Sequence, residues 1–164
     1  MEIVDIINKQ DEVVGQKTRK ESHAQHLLHR SVHVMILNSE REILLQLRKR
    51  DKRNYPLFWS CSVGGHVYSG EKPEEAVYRE MQEEIGIRTD LEFVGKFIVD
   101  DATEYEMVFV YFGKFDGPFV FQEEEMEKAQ FFSVKNLWKE KTEMNLTPHC
   151  SGALEMIKDK LPGI

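Results

Sequence analysis

The chain is 164 residues long, 41% hydrophobic, 31% charged and 10% aromatic. That length suits one domain with a sizeable core, and the aromatic and aliphatic content excludes a disordered chain. Twenty-two Lys and Arg against 29 Asp and Glu leave a net charge of −7, which argues against nucleic acid or a membrane surface as partner, because both attract positive fields.

The start, Met1-Glu2-Ile3-Val4-Asp5, has neither the basic nor the apolar segment of a secretory leader. No run nears the roughly 20 apolar residues of a membrane span. Ile3–Ile7 and Val13–Gly15, around polar Asn8-Lys9-Gln10-Asp11, predict a hairpin. A basic, His-bearing connector follows from Lys17 to Arg30. Val32–Leu37 and Ile43–Leu47 flank Asn38-Ser39-Glu40-Arg41 as a second hairpin. Lys49 to Pro56 reads as a charged loop, and Phe58–Val63 as a short strand ending at Gly64-Gly65. Pro73 to Ile85 is the clearest helix: Pro73 suits the first turn, Gly86 supplies the stop, and Val77, Met81 and Ile85 form an apolar stripe. Phe93–Val99, Met107–Phe115 and Ala129–Phe132 read as strands. Ser133 caps a helix to about Glu140, and Thr147-Pro148 opens a terminal helix with Leu154, Ile157 and Leu161 on one face. Strands around a central helix, with a helix at the end, predict an α+β sandwich. Cys61 and Cys150 lie far apart without CxxC spacing, which predicts a reducing, cytoplasmic setting and no disulfide scaffold.

The chemistry concentrates between residues 65 and 87, GHVYSGEKPEEAVYREMQEEIGI. At about 100° per residue, Glu80, Glu83 and Glu84 occupy roughly a quarter of the helix circumference, about 110° from the centre of the apolar stripe. The helix can then bury one face and keep its carboxylates accessible. Carboxylates three and four residues apart repel by roughly 0.2–0.5 kcal/mol per pair, so three together invite a divalent cation. An oxygen-only set suits Mg2+ or Mn2+. Arg79, one turn before Glu83, is placed to orient the cluster. Gly64-Gly65 lets backbone approach the same spot, with the Gly64 carbonyl as a candidate further ligand. A solvated acidic face would explain the glutamates but not the fixed offsets of the glycine pair, Glu71 and Arg79.

With Gly65, Glu71, Arg79-Glu80, Glu83-Glu84 and Gly86 at these spacings, the segment resembles the Nudix box, the signature of hydrolases acting on nucleoside diphosphates linked to another moiety. The resemblance implies a Nudix-type α/β/α sandwich with a mixed central sheet, a single domain over residues 1–164 whose hairpin and connector occupy about 1–30. It implies Glu80, Glu83 and Glu84 as metal ligands, one of them polarising the attacking water. Glu71 becomes the loop glutamate that supports the site and Arg79 the orienting arginine. The chemistry implied is metal-assisted attack of water on phosphorus in a small-molecule diphosphate.

A narrower resemblance extends beyond the box. Trp59-Ser60-Cys61-Ser62-Val63-Gly64-Gly65-His66, with Leu28-His29-Arg30 and Glu104-Tyr105-Glu106, is similar to the type 1 isopentenyl-diphosphate isomerases, which share the Nudix fold. That family's second metal site implies His29, His66, Glu104 and Glu106 here, with His23 as a looser match. The isomerase's catalytic cysteine falls on Gly64, and Cys61, three residues earlier, would point to the opposite face of an extended strand. The intact glutamates also favour a hydrolase over an isomerase and over a non-catalytic nucleotide-sensing module. The alternative for His23, His26, His29 and His33 is that they are unrelated surface or core imidazoles, with His29 and His33 bonding backbone near a strand start. Within Glu123-Glu124-Glu125, Glu125 is a secondary candidate for metal or base. Phe58 and Trp59 are expected in the core. The run Arg48-Lys49-Arg50-Asp51-Lys52-Arg53 is a candidate pocket mouth for an anionic substrate, or else a solvated hairpin extension.

Overall fold

A computed structural model describes residues 2–161 and 163. In chain order, β1 (Ile3–Ile7) and β2 (Val13–Thr18) form the first hairpin, its turn held by Asn8, whose side-chain oxygen accepts from the Gln10 and Glu12 amides. The connector contains a short helix that hydrophobic periodicity does not reveal, α1 (Arg19–Ala24). Thr18 Oγ1 accepts from the Glu21 amide while the Glu21 carboxylate accepts from the Thr18 amide, a capping box. The second hairpin is β3 (His29–Leu37) and β4 (Glu42–Arg48). The strand expected over Phe58–Val63 is two pieces, β5 (Trp59–Ser60) and β6 (Val63–His66), so Gly64 and Gly65 lie inside a strand and do not end one. Then come α2 (Pro73–Ile85), closed by left-handed Gly86 at φ 66°, β7 (Leu91–Asp100), β8 (Tyr105–Lys114) and β9 (Met126–Ser133). Ser133 caps α3 (Val134–Glu140), Thr147 caps α4 (Pro148–Ile157), and a 3-10 turn at Lys158–Lys160 follows.

The strands make one mixed sheet. Its path runs β2-β1-β3-β4-β5, with β6 and β8 also on β3, β7 on β8 and β9 on β4. β3 and β8 run parallel, in register from His29↔Glu106 to Leu37↔Lys114, and β6 lies antiparallel to β3 with His33 opposite Gly64. From Val34 to Leu37, strand β3 is apolar on both faces, as a strand covered on both sides must be. Val32, Val34 and Ile36 pack with Val77, Met81 and Ile85 of α2. Met35 and Leu37 pack on the other face with Leu137 of α3 and Leu154 and Ile157 of α4. Each such side chain contributes roughly 1.5–3 kcal/mol by leaving water. The sandwich and mixed sheet expected from the sequence are therefore present.

Side-chain alternation then sets the site. On β3, His29, Ser31 and His33 share the face of Met35 and Leu37; on β8, Glu106 shares the face of Val108, Val110 and Phe112. At this end the apolar layer under α4 gives way to imidazoles and a carboxylate. On β6 the missing side chains of Gly64 and Gly65 open both faces: a Cβ on Gly64 would meet the His33 ring, and one on Gly65 would meet Glu80 of α2. Cys61 lies in the core beneath α4 with Cys150, as its offset from Gly64 predicts. The hydrogen bond with Cys150, together with burial, pushes its thiol well above the ordinary range. Trp59 packs edge-on against Phe132, a core use as expected.

Candidate active site and imidazole cluster

Arg79 is the hinge of the acidic turn. Its Nε donates to Glu71 Oε2 at 2.8 Å and its Nη2 to Glu71 Oε1 at 2.9 Å, a two-pronged clamp. Nη2 also reaches the His66 carbonyl at 3.1 Å, while Nη1 donates to Glu80 at 2.8 Å and to Glu83 at 3.5 Å. The guanidinium lies over the Tyr68 ring, 4.0 Å from its centroid. The Glu71 hydrogen bonds raise the Arg79 pKa, with burial opposing and Glu80 adding to the effect. Burial acts against ionisation of Glu71, but Arg79 holds its carboxyl below the usual range.

The three box glutamates differ in setting. Glu80 and Glu84 are buried, whereas the Glu83 side chain is 57% exposed. Accessibility expected from the helix arithmetic is thus realised fully by Glu83 alone, because β6 covers the other two. Glu84 Oε1 accepts from Gln46 Nε2 at 2.8 Å and from the Gly64 amide at 3.4 Å. The Gly64 backbone group that bonds this turn is thus its N–H. Gln46 is fixed in turn by the Ser62 carbonyl at 2.9 Å. Burial, together with the hydrogen bond and charge of Glu80, pushes Glu84 well above the ordinary carboxyl range, and burial likewise raises Glu80. The three carboxylates do not converge on one point; Glu83 turns toward Arg79 and solvent.

On the other face of β6, His23 of α1, His29 of β3, His66 of β6 and Glu106 of β8 each place a ligand atom within 4.8 Å of the others. His29 Nδ1 donates to the Leu27 carbonyl at 2.8 Å, which leaves Nε2 as a lone pair facing Glu106 Oε2 at 3.7 Å. That orienting bond is the one metal-binding histidines use. His66 Nε2 stands 3.5 Å from the same oxygen, and His23 Nδ1 is 3.7 Å from Glu104 Oε2. His29 Nε2, His66 Nε2 and Glu104 Oε2 are buried with no hydrogen-bond partner among the described residues. Burial and the neighbouring imidazoles His66 and His29 bring His23 down to about 4, and burial lowers His29. Burial and Glu106 raise Glu104 to about 9. Glu106 itself, although buried, is held well below the usual range by its surroundings, with Glu104, the hydrogen-bonded His149 and the nearby His66 outweighing burial. Three imidazoles around one carboxylate, with unpartnered buried ligand atoms, fit a divalent transition metal.

Both clusters border a single cleft of about 870 Å³. Glu125 lines it and pairs with Lys52 at 3.4 Å. Of the basic run, Arg48, Lys52 and Arg53 face the cleft, whereas Arg50 points outward to Glu127. Glu71 stands behind the cleft wall, touching it through Arg79. Three residues without a role in the sequence reading now have one. Gln46 was visible only as a lone polar residue in the run Leu44-Leu45-Gln46-Leu47. Asn54 donates to Glu104 at 2.8 Å. His149, behind Thr147-Pro148, reaches Glu106 from α4 at 3.1 Å.

Residues 27–150 match the NUDIX domain family. An uncharacterized Nudix hydrolase of Pseudomonas aeruginosa is 28% identical over 158 residues, which covers 96% of this chain and 92% of that protein. An isopentenyl-diphosphate Δ-isomerase of Serratia proteamaculans is 30% identical over 146 residues, 86% of this chain and 82% of its own. The crystal structure of DR0079 from Deinococcus radiodurans superposes with a TM-score of 0.75 at 23% identity, covering 96% of this chain and 98% of that one, and speaks for the fold. By its sheet, its acidic turn and these matches, the chain belongs to the Nudix hydrolase family.

Proposed function

We propose that this chain, one Nudix domain throughout, is a pyrophosphohydrolase cleaving a diphosphate linkage in a nucleoside diphosphate derivative or related small molecule. The observation that carries the reading is the Arg79 clamp, which binds Glu71, Glu80 and Glu83 to the cleft wall at once. A merely solvated acidic face needs no such half-buried fork. Glu80, Glu83 and Glu84 would hold Mg2+ or Mn2+, with the Gly64 carbonyl and Glu125 as further oxygen donors. A divalent cation there neutralises charge on the diphosphate oxygens and lowers the pKa of a water molecule. Arg79 orients Glu80, Gln46 orients Glu84, and Lys52 and Arg53 draw the anionic substrate to the cleft. The buried thiols Cys61 and Cys150 suit a reducing, cytoplasmic setting.

The test is a hydrolysis screen over nucleoside diphosphate sugars, dinucleoside polyphosphates, nucleoside triphosphates, coenzymes and isoprenoid diphosphates, run with Mg2+ and with Mn2+. Glu83→Gln or Glu84→Gln is expected to lower turnover by about 10²-fold or more. Parent-like turnover by both variants would overturn the assignment.

The imidazole cluster supports a second reading, an isopentenyl-diphosphate isomerase or a relative acting on isoprenoid diphosphates. We propose His23, His29, His66, Glu104 and Glu106 as a second metal site under either reading. Two observations favour the hydrolase: Cys61 faces away from the cleft, and among the described residues no aliphatic side chain larger than alanine lines it to receive an isoprenoid tail. Isopentenyl diphosphate converted to its dimethylallyl isomer without phosphate release would reverse that preference. A purely sensing module would bind nucleotide and turn nothing over.

A further inference from the structure

Glu106 has two carboxylate oxygens, and each faces a different set of imidazoles. Oε2 faces His29 Nε2 at 3.7 Å and His66 Nε2 at 3.5 Å. Oε1 faces the opposite way, to His149 Nε2 at 3.1 Å. His149 lies beside His33, ring centroids 5.0 Å apart, and His33, Glu106 and His149 form their own buried group with ligand atoms within 4.8 Å of one another. We propose that Glu106 bridges two cations: one among His23, His29 and His66, and a second held by His33 and His149. This rests on the reading of the first three imidazoles as a metal site and adds a contiguous position built from β3, β8 and α4.

An ordinary hydrogen bond between His149 and Glu106 would explain one contact but not the rest. His33 is almost wholly buried, its Nε2 is 3.1 Å from Ser31 Oγ, and its Nδ1 has no partner among the described residues. Gly64 leaves room for that ring edge, since a Cβ there would stand 2.8 Å from His33 Nδ1. A lone orphaned imidazole nitrogen in a core is costly and calls for a ligand. Two imidazoles and a shared carboxylate suit Zn2+, Co2+ or Mn2+, and carboxylate-bridged pairs stand about 3.5–4 Å apart. Such a centre, at the base of the cleft, would take an anionic oxygen such as phosphate as its remaining ligand.

Crystals of the full chain soaked in Zn2+ and measured at the zinc absorption edge should show two anomalous peaks flanking Glu106, about 3.5–4 Å apart. Native mass spectrometry should then show one fewer tightly held zinc in His149→Gln, and also in His33→Gln, each checked as folded by circular dichroism. A single peak on the His23/His29/His66 side, or unchanged zinc stoichiometry in both variants, overturns the bridge and leaves the first site standing. Absence of a peak on either side of Glu106 removes both.

Discussion

Gly65 and Glu80 compete for one space: a Cβ on Gly65 would stand 2.6 Å from Glu80 Cγ and closer still to its carboxylate. Glu80 cannot simply swing aside, because it is buried and Arg79 grips it at 2.8 Å. Gly65→Ala should therefore leave the sheet intact, at a cost of about 1–3 kcal/mol for overpacking, and displace a proposed metal ligand. The expected result is a folded protein whose Mg2+ affinity falls by about 10–100-fold. Isothermal titration with Mg2+, beside a thermal melt, separates the two effects.

Gln46 acts on the same turn from the opposite strand. It donates to Glu84 at 2.8 Å and to the Ser62 carbonyl at 2.9 Å, and so decides where the buried carboxylate points. Gln46→Leu removes both bonds with little change in volume. Turnover should drop by about 10–100-fold, the usual effect of losing an orienting partner, with KM nearly unchanged. A rise in KM at constant kcat would instead place Gln46 on the substrate.

The basic loop divides into two parts. Lys52 and Arg53 border the cleft, while Arg50 is 77% exposed and turned to Glu127. Neutralising Lys52 and Arg53 together should raise KM about tenfold at low salt, with the difference shrinking as ionic strength screens it. Arg50→Ala should leave KM unaltered. Steady-state kinetics at two salt concentrations decides between this and a loop that is only solvated.

How much of this was legible in the residues follows from distance along the chain. Helix α2, its Pro73 start and its Gly86 stop were readable because spacing within one helix fixes them. The same locality revealed Glu71, Arg79 and the glutamates. Helix α1 escaped because six residues carry no period, although Thr18 and Glu21 spell its capping box. The break between β5 and β6 was hidden: Ser62 Oγ accepts from the Ile36 amide and donates to the Leu44 carbonyl, so two other strands decide where this one pauses. Glu106 meets His29 through a parallel pairing that spans nearly half the chain, and His149 arrives from α4. Those encounters are tertiary, and no local pattern announces them; only family resemblance pointed to His29, His66 and Glu106, and nothing pointed to His149.

Glu84 gives stability and activity opposite signs. Burial and Glu80 raise its folded pKa well above the usual 4.5. A raised carboxyl contributes fully below the unfolded value and loses that contribution as pH climbs through the folded one. In metal-stripped protein the strain is therefore small near pH 4.5 and grows toward pH 8, where the unfolded chain releases the proton easily. Glu84→Gln imitates the protonated group at every pH, and its amide oxygen still accepts from Gln46. With chelator present, the variant should melt close to the parent at pH 4.5 and a few degrees above it at pH 8, on the order of 1 kcal/mol. Adding Mg2+ should reverse the order at pH 8, because a cation that binds only the folded parent stabilises that protein alone. Identical melting of the two proteins at pH 8 in both conditions would mean that Glu84 neither resists ionisation in its buried setting nor holds the cation.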